Sequence, residues 1–157
     1  MKAIHWIIAA AAFACAEPVQ AGINDPEVLI YRGAGVLDTG GAAFTGDATA
    51  FHCTNFSGTL ENIRFVIRNA DGTLMANSAF LVAHLSTITA LTKDTSIFTV
   101  SFKLLLNTGS VGIGTVAIAA TSLNVTCTAM LVQANITTPA GIKLHMTRFN
   151  PIAGTQE

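Results

Sequence analysis

Asn62-Ile63-Arg64-Phe65-Val66-Ile67-Arg68-Asn69-Ala70-Asp71-Gly72 is the stretch that decides the fold. Ile63, Phe65 and Ile67 alternate with Arg64, Val66 and Arg68. Successive side chains of a strand point to opposite faces, so this period of two predicts a half-buried antiparallel strand. Asn69-Ala70-Asp71-Gly72 then predicts a turn, because Gly72 can take a positive φ without a steric penalty.

The same reading extends outward in both directions. Val28 to Arg32 is β-rich and runs into Gly33-Ala34-Gly35, which predicts a bulge or bend. Asp38 to Asp47 carries Gly40, Gly41 and Gly46 and reads as a loop, and Thr49 to Phe56 as a strand. Thr73 to Leu85 fits either a strand pair or a short helix around Ala79 to His84. Ser86 to Thr92 and Ser96 to Leu106 read as strands, with Lys93-Asp94 as the turn between them. Asn107 to Gly114 reads as loop, Val116 to Ala120 and Leu123 to Val132 as strands, and Thr138 to Gly141 as a turn. Ile142 to Phe149 is the last alternating run, stopped by Pro151. No helical period competes with these signals. The expected fold is an all-β antiparallel sandwich, immunoglobulin-like or related, with seven to nine strands.

The first 21 residues have the parts of a secretory signal. Lys2 supplies a short positive region, Ile4 to Ala14 an apolar run, and Val19-Gln20-Ala21 the small residues of a cleavage site. Cleavage between Ala21 and Gly22 leaves residues 22–157 as one domain behind a signal helix, secreted or periplasmic. Ala14-Cys15-Ala16 offers a second cleavage site. A lipid anchor on Cys15 is a minor alternative, since Ala12-Phe13-Ala14 fits a lipoprotein signal poorly. The apolar run is short against the ~20 residues a spanning helix needs, and no later stretch is apolar enough for a transmembrane segment.

Without the signal only Cys53 and Cys127 remain, and an even cysteine count behind an export signal predicts a disulfide. Both lie in alternating runs, two residues after Phe51 and Val125. If those residues face the core, the cysteines do too, and the expectation is a bridge between two sheets from inside. The closed loop of about 75 residues gives roughly 4 kcal/mol in chain-entropy models.

Composition narrows the function. Charged residues make up 11% of the chain, against about 25% in an average domain, and the formal net charge is −1. Such a balance gives no long-range field for nucleic acid, and Arg32, Arg64, Arg68 and Arg148 are dispersed along the sequence. A surface of small neutral residues is poorly defended against association, so the expected partners are the chain itself or another envelope or extracellular protein. A mildly hydrophobic monomer is the plain alternative.

Sites for chemistry are sparse. His52 adjoins Cys53, and His84 and His145 lie elsewhere, but the spacing fits no zinc pattern. Met130 and Met146 are present without the one-loop cysteine, histidine and methionine cluster of a blue-copper site. Asn69-x-Asp71-Gly72 is a fragment of a calcium loop that a hairpin turn explains. Gly109, Gly112 and Gly114 lack the order, the helix and the lysine of a phosphate loop. Nucleophile motifs are missing, and Glu61 and Asp94 are not placed together as an acid/base pair. Trp6 lies in the signal and Tyr31 is the single tyrosine, which disfavours a stacking sugar groove. The sequons at Asn55, Asn124 and Asn135 matter only in a eukaryotic secretory pathway. No catalytic, metal or cofactor residue is assigned.

His52-Cys53-Thr54-Asn55-Phe56, Asn62 to Arg68, Cys127-Thr128-Ala129-Met130 and Arg148-Phe149-Asn150-Pro151 resemble an uncharacterised group of small exported bacterial proteins. The resemblance implies no activity. Chaperone-assembled pilins pair their cysteines early in the chain, whereas Cys127 lies near the C-terminus, which speaks against that family. The expectation is therefore a non-enzymatic structural or surface-interaction domain. The alternatives are a small-ligand carrier or sensor with a pocket between sheets, and an enzyme with an unrecognised site.

Overall fold

The computed structural model describes residues 27–98, 103–138 and 140–149. Cys15, Ala21 and Gly22, and with them the signal, lie outside the described residues.

The described residues are all-β, with no helix, in two stacked sheets of five strands. The strands are β1 (Val28–Asp38), β2 (Asp47–Asn55), β3 (Glu61–Arg68), β4 (Leu74–Val82), β5 (Thr87–Leu91), β6 (Lys103–Leu105), β7 (Val111–Ala120), β8 (Val125–Gln133), β9 (Gly141–Leu144) and β10 (Met146–Arg148). One sheet has the order β10-β1-β7-β3-β4 and the other β6-β5-β2-β8-β9. We call them sheet A and sheet B.

The alternation that predicted β3 is what builds the core. Ile63, Phe65 and Ile67 are fully buried, while Arg64 and Val66 are half-buried and Arg68 is exposed. From the facing sheet, β2 sends in Phe51, whose ring centroid lies 6.0 Å from that of Phe65. Burying side chains of this size contributes roughly 1.5–3 kcal/mol each. The predicted turn after β3 forms as well: Gly72 N–H donates to Asn69 O, and Gly72 has φ 86°. At Gly33-Ala34-Gly35 the strand bulges but does not end. The β1–β7 register shifts between Ala34 and Val36, and Gly35 takes φ 86°.

Cys53 and Cys127 are bonded, and both are buried on the inner face. The expected bridge between two sheets is wrong. Cys53 and Cys127 are register partners on neighbouring strands β2 and β8 of sheet B, with Cα atoms 4.2 Å apart. That short spacing marks a non-hydrogen-bonded pair, where facing side chains come closest. Alternation assigns a cysteine to a face, but not to a neighbour.

Other expectations are corrected by pairing. Thr73 to Leu85 is neither a strand pair nor a helix, because residues 74–82 run beside β3 as one strand. The strand expected from Ser96 straight after the Lys93-Asp94 turn is not there: residues 96–98 are outside any strand, and β6 pairs parallel to β5, which needs a crossover. The last alternating run divides: β9 pairs with β8 in sheet B, and β10 with β1 in sheet A, with His145 between them. A strand that changes sheets in this way makes a corner of the sandwich. With this division the strands among the described residues number ten.

Candidate functional site

The chemistry-bearing residues singled out by sequence are held apart. His52 and Cys53 are consecutive in β2 and therefore point to opposite faces. Cys53 enters the core. His52 lies on the outside of sheet B, its Nδ1 3.0 Å from Thr89 Oγ1 and its ring edge-on to Phe98 at 4.9 Å. Burial there pushes the His52 pKa down. His84 Nδ1 accepts a hydrogen bond from Gly58 N–H at 3.0 Å, while His145 is at the sheet-switching corner. Among the described residues no three His, Cys, Asp or Glu side chains form a group that could hold a metal ion.

The two acids lie at opposite ends of the sandwich. Glu61 begins β3, where Thr59 and Thr121 hydroxyls donate to its carboxylate. Burial pushes its pKa up, but hydrogen bonds from Ser57, Thr121 and Thr59 outweigh that and leave it below the usual value. Asp94 follows β5 and pairs with Lys103 at 2.7 Å. Asp71 is satisfied within its hairpin by Thr73 N–H at 2.9 Å, and the backbone hydrogen bond from Thr73 holds its pKa down. Asn55 is fully buried and its amide donates to Thr59 O and Val82 O, so this sequon offers no accessible nitrogen.

Sequence reasoning missed a buried ion pair. Lys93 Nζ lies 2.8 Å from Asp38 Oδ1, with side chains only 9% and 1% exposed. Asp38 also accepts from Gly40 N–H at 2.8 Å and Thr108 Oγ1 at 3.1 Å. Lys93 donates to the carbonyls of Gly40 and Thr45, so the loop after β1 folds around the ammonium. Beside the pair, Thr49 Oγ1 donates to Leu37 O and accepts from Leu37 N–H. The only hint in the sequence is a lysine directly after a buried β-run, which also fits an exposed turn.

Two surfaces remain exposed in sheet A. The first is the edge strand β4, Leu74-Met75-Ala76-Asn77-Ser78-Ala79-Phe80-Leu81-Val82, which has no charge and no proline. Leu74, Phe80 and Leu81 on it are exposed. Leu60 extends this apolar ground, and with Phe80 and Leu81 it lines a small hollow of about 150 Å³. Leu85 is 67% exposed in a left-handed conformation with φ 62°, unusual for a bulky residue.

The second is a groove of about 580 Å³ on the outer face of sheet A. Its walls include Arg32, Thr147 and His145 on one side and Arg68 on the other, over a floor of Ala34, Val66, Thr115 and Ala117. The arginines that look dispersed in the sequence are thus partly gathered, because β1 and β3 flank β7. Strand parity already placed Arg68 on the outward face, but its approach to Arg32 depends on strand order, which parity does not carry.

A scan against protein-family models matched none, and neither the curated proteins nor the solved structures compared with the chain gave a match.

Proposed function

We propose that this chain is an exported, disulfide-stabilised, non-enzymatic domain. Its role is structural, at the cell envelope or outside the cell, and it works by associating with copies of itself. A disulfide and the lack, among the described residues, of a helix long and apolar enough to cross a membrane are compatible with that location.

The observation that carries the reading is β4. An edge strand presents unpaired backbone groups, and proteins that stay apart blunt such edges with lysine, proline, bulges or a very short strand; β4 has one register shift, at its Leu74 end, and is regular from Ala76 to Val82. Here nine uncharged residues lie at the edge of sheet A. The strand is also apolar at both ends around a small centre, Asn77-Ser78-Ala79. Pairing two copies antiparallel about Ser78 sets Ala76 against Phe80, Met75 against Leu81 and Leu74 against Val82 of the second copy. Asn77 meets Ala79 and Ser78 meets its own copy at the small centre, small meets large at Ala76 and Phe80, and apolar meets apolar at the two outer pairs, which suits an isologous two-fold contact.

The test is light scattering on size-exclusion-purified protein over a concentration series. Wild type should form a dimer, and Leu81→Lys, which places a charge on an exposed edge position, should be monomeric. Wild type that stays monomeric at its solubility limit overturns the reading, as does a Leu81→Lys variant that dimerises equally well.

A further inference from the structure

We propose that the groove on the outer face of sheet A is a binding site for a compact organic dianion. Arg32 and Arg68 hold its two anionic ends, and the small apolar floor takes the body between them.

The strand register supplies the geometry. Thr147, Arg32, Ala117 and Val66 form one row across β10, β1, β7 and β3. Ala34, Thr115 and Arg68 form the next row on the same face. Arg32 and Arg68 are therefore two strands and two residues apart, about 12 Å between Cα atoms from standard strand spacings. Everything between them is small, so the centre of the sheet is sunk between two long cationic side chains.

Each guanidinium is held at its own wall. The Arg32 Cζ sits 5.4 Å from the centroid of the Phe149 ring, a cation–π contact at the β10 side. Arg68 donates to Gly72 O at 2.9 Å, which anchors it toward the hairpin after β3. One contact each leaves further donors of the planar fork free for a carboxylate or phosphate. Two anchors at opposite walls fit a ligand charged at both ends better than a single small ion.

Charge is separated locally in a chain that is nearly neutral overall. No carboxylate lines the groove, while Thr115, Thr147 and His145 add polar groups to the two guanidinium forks. Farther along the same face, Glu27 pairs with Arg64 and so takes up the next cation. The volume lies within the ~300–1,000 Å³ typical of small-ligand sites. The site is separate from the β4 edge and does not depend on self-association.

The probes are glutarate and adipate, titrated into isotope-labelled protein and followed by amide chemical shifts. Butyrate and glutaramide, which lack one or both charges, serve as controls. Using Leu81→Lys protein keeps the measurement independent of association. The expected result is saturable shifts confined to residues 32–34, 66–68, 115–117 and 145–147, with the diacids binding more tightly than butyrate and the diamide silent. Arg32→Gln and Arg68→Gln should each weaken binding about tenfold or more, as lost charge-assisted hydrogen bonds do. Thr115→Glu adds a carboxylate to the exposed floor without touching the core, and should abolish binding while the amide spectrum stays folded. Undiminished diacid binding by either arginine variant, butyrate binding as tightly as the diacids, or equal shifts at Lys103 and Lys143 each overturn the proposal.

Discussion

The disulfide and the Asp38–Lys93 pair both lock together segments far apart in sequence, yet only the ion pair spans the sandwich. Cys53 and Cys127 join neighbouring strands that already share a full antiparallel register within sheet B. Asp38 ends β1 in sheet A, whereas Lys93 follows β5 in sheet B. The covalent tie therefore constrains the unfolded chain and adds little to how the sheets sit on one another. The ionic tie exists only when the sheets are docked, because its ligands come from both. A buried ion pair is not automatically stabilising, since desolvation opposes the attraction, but removal of one partner strands a buried charge. What the contrast teaches is that the strongest bond need not hold the layers together.

Three experiments test that division, the largest effect first. Lys93→Met should lose about 3–5 kcal/mol in urea unfolding, because Asp38 stays buried without its partner. Adding Asp38→Leu to it should recover most of that loss. If Lys93→Met is neutral, the ionic tie is not structural. Cys53→Ala with Cys127→Ala should lose about 2–4 kcal/mol, mainly through a freer unfolded state. Below its transition this variant should not bind a hydrophobic dye, since the sheets stay docked. Dye binding there would show the disulfide to be a sheet-docking element after all.

The smallest effect is on pH dependence, and it comes from groups outside both ties, His52 and Glu61. Burial depresses the His52 pKa in the folded state, so the unfolded chain binds the proton more readily. Its stability contribution is complete above its ordinary value of 6.5 and fades as the pH falls below it. The Glu61 pKa is also depressed, so its contribution is complete above 4.5 and fades as the pH falls further. Melting temperature should drop in two stages on acidification. His52→Asn should flatten the upper stage and Glu61→Gln should shrink the lower, which Asp71 shares; a variant that leaves its own stage unchanged excludes that residue as a cause.

The sequence was legible wherever a local rule determines the outcome. Ile63, Phe65 and Ile67 declare a buried face through a period of two, and Gly72 declares a turn through a conformation few other residues accept. Phe51 and Cys53 declare the inner face of β2 in the same way. It was illegible wherever the outcome depends on which strands become neighbours. The parallel pairing of β6, the split of the last strand at His145 and the position of β4 at an edge all depend on contacts between distant segments. Lys93 shows the limit most clearly, because a lysine after a strand has the same local signature whether it faces water or closes a buried pair.

The sequence by itself determined the all-β class and the core faces, including the inward face of Cys53 and Cys127, because alternation acts over a few residues. Only the tertiary structure decided that Cys127 lies beside Cys53 within one sheet, that Asp38 and Lys93 meet between sheets, and that Arg32 and Arg68 share a groove. Each of these is a matter of strand order, and strand order is set by the docking of whole segments against one core.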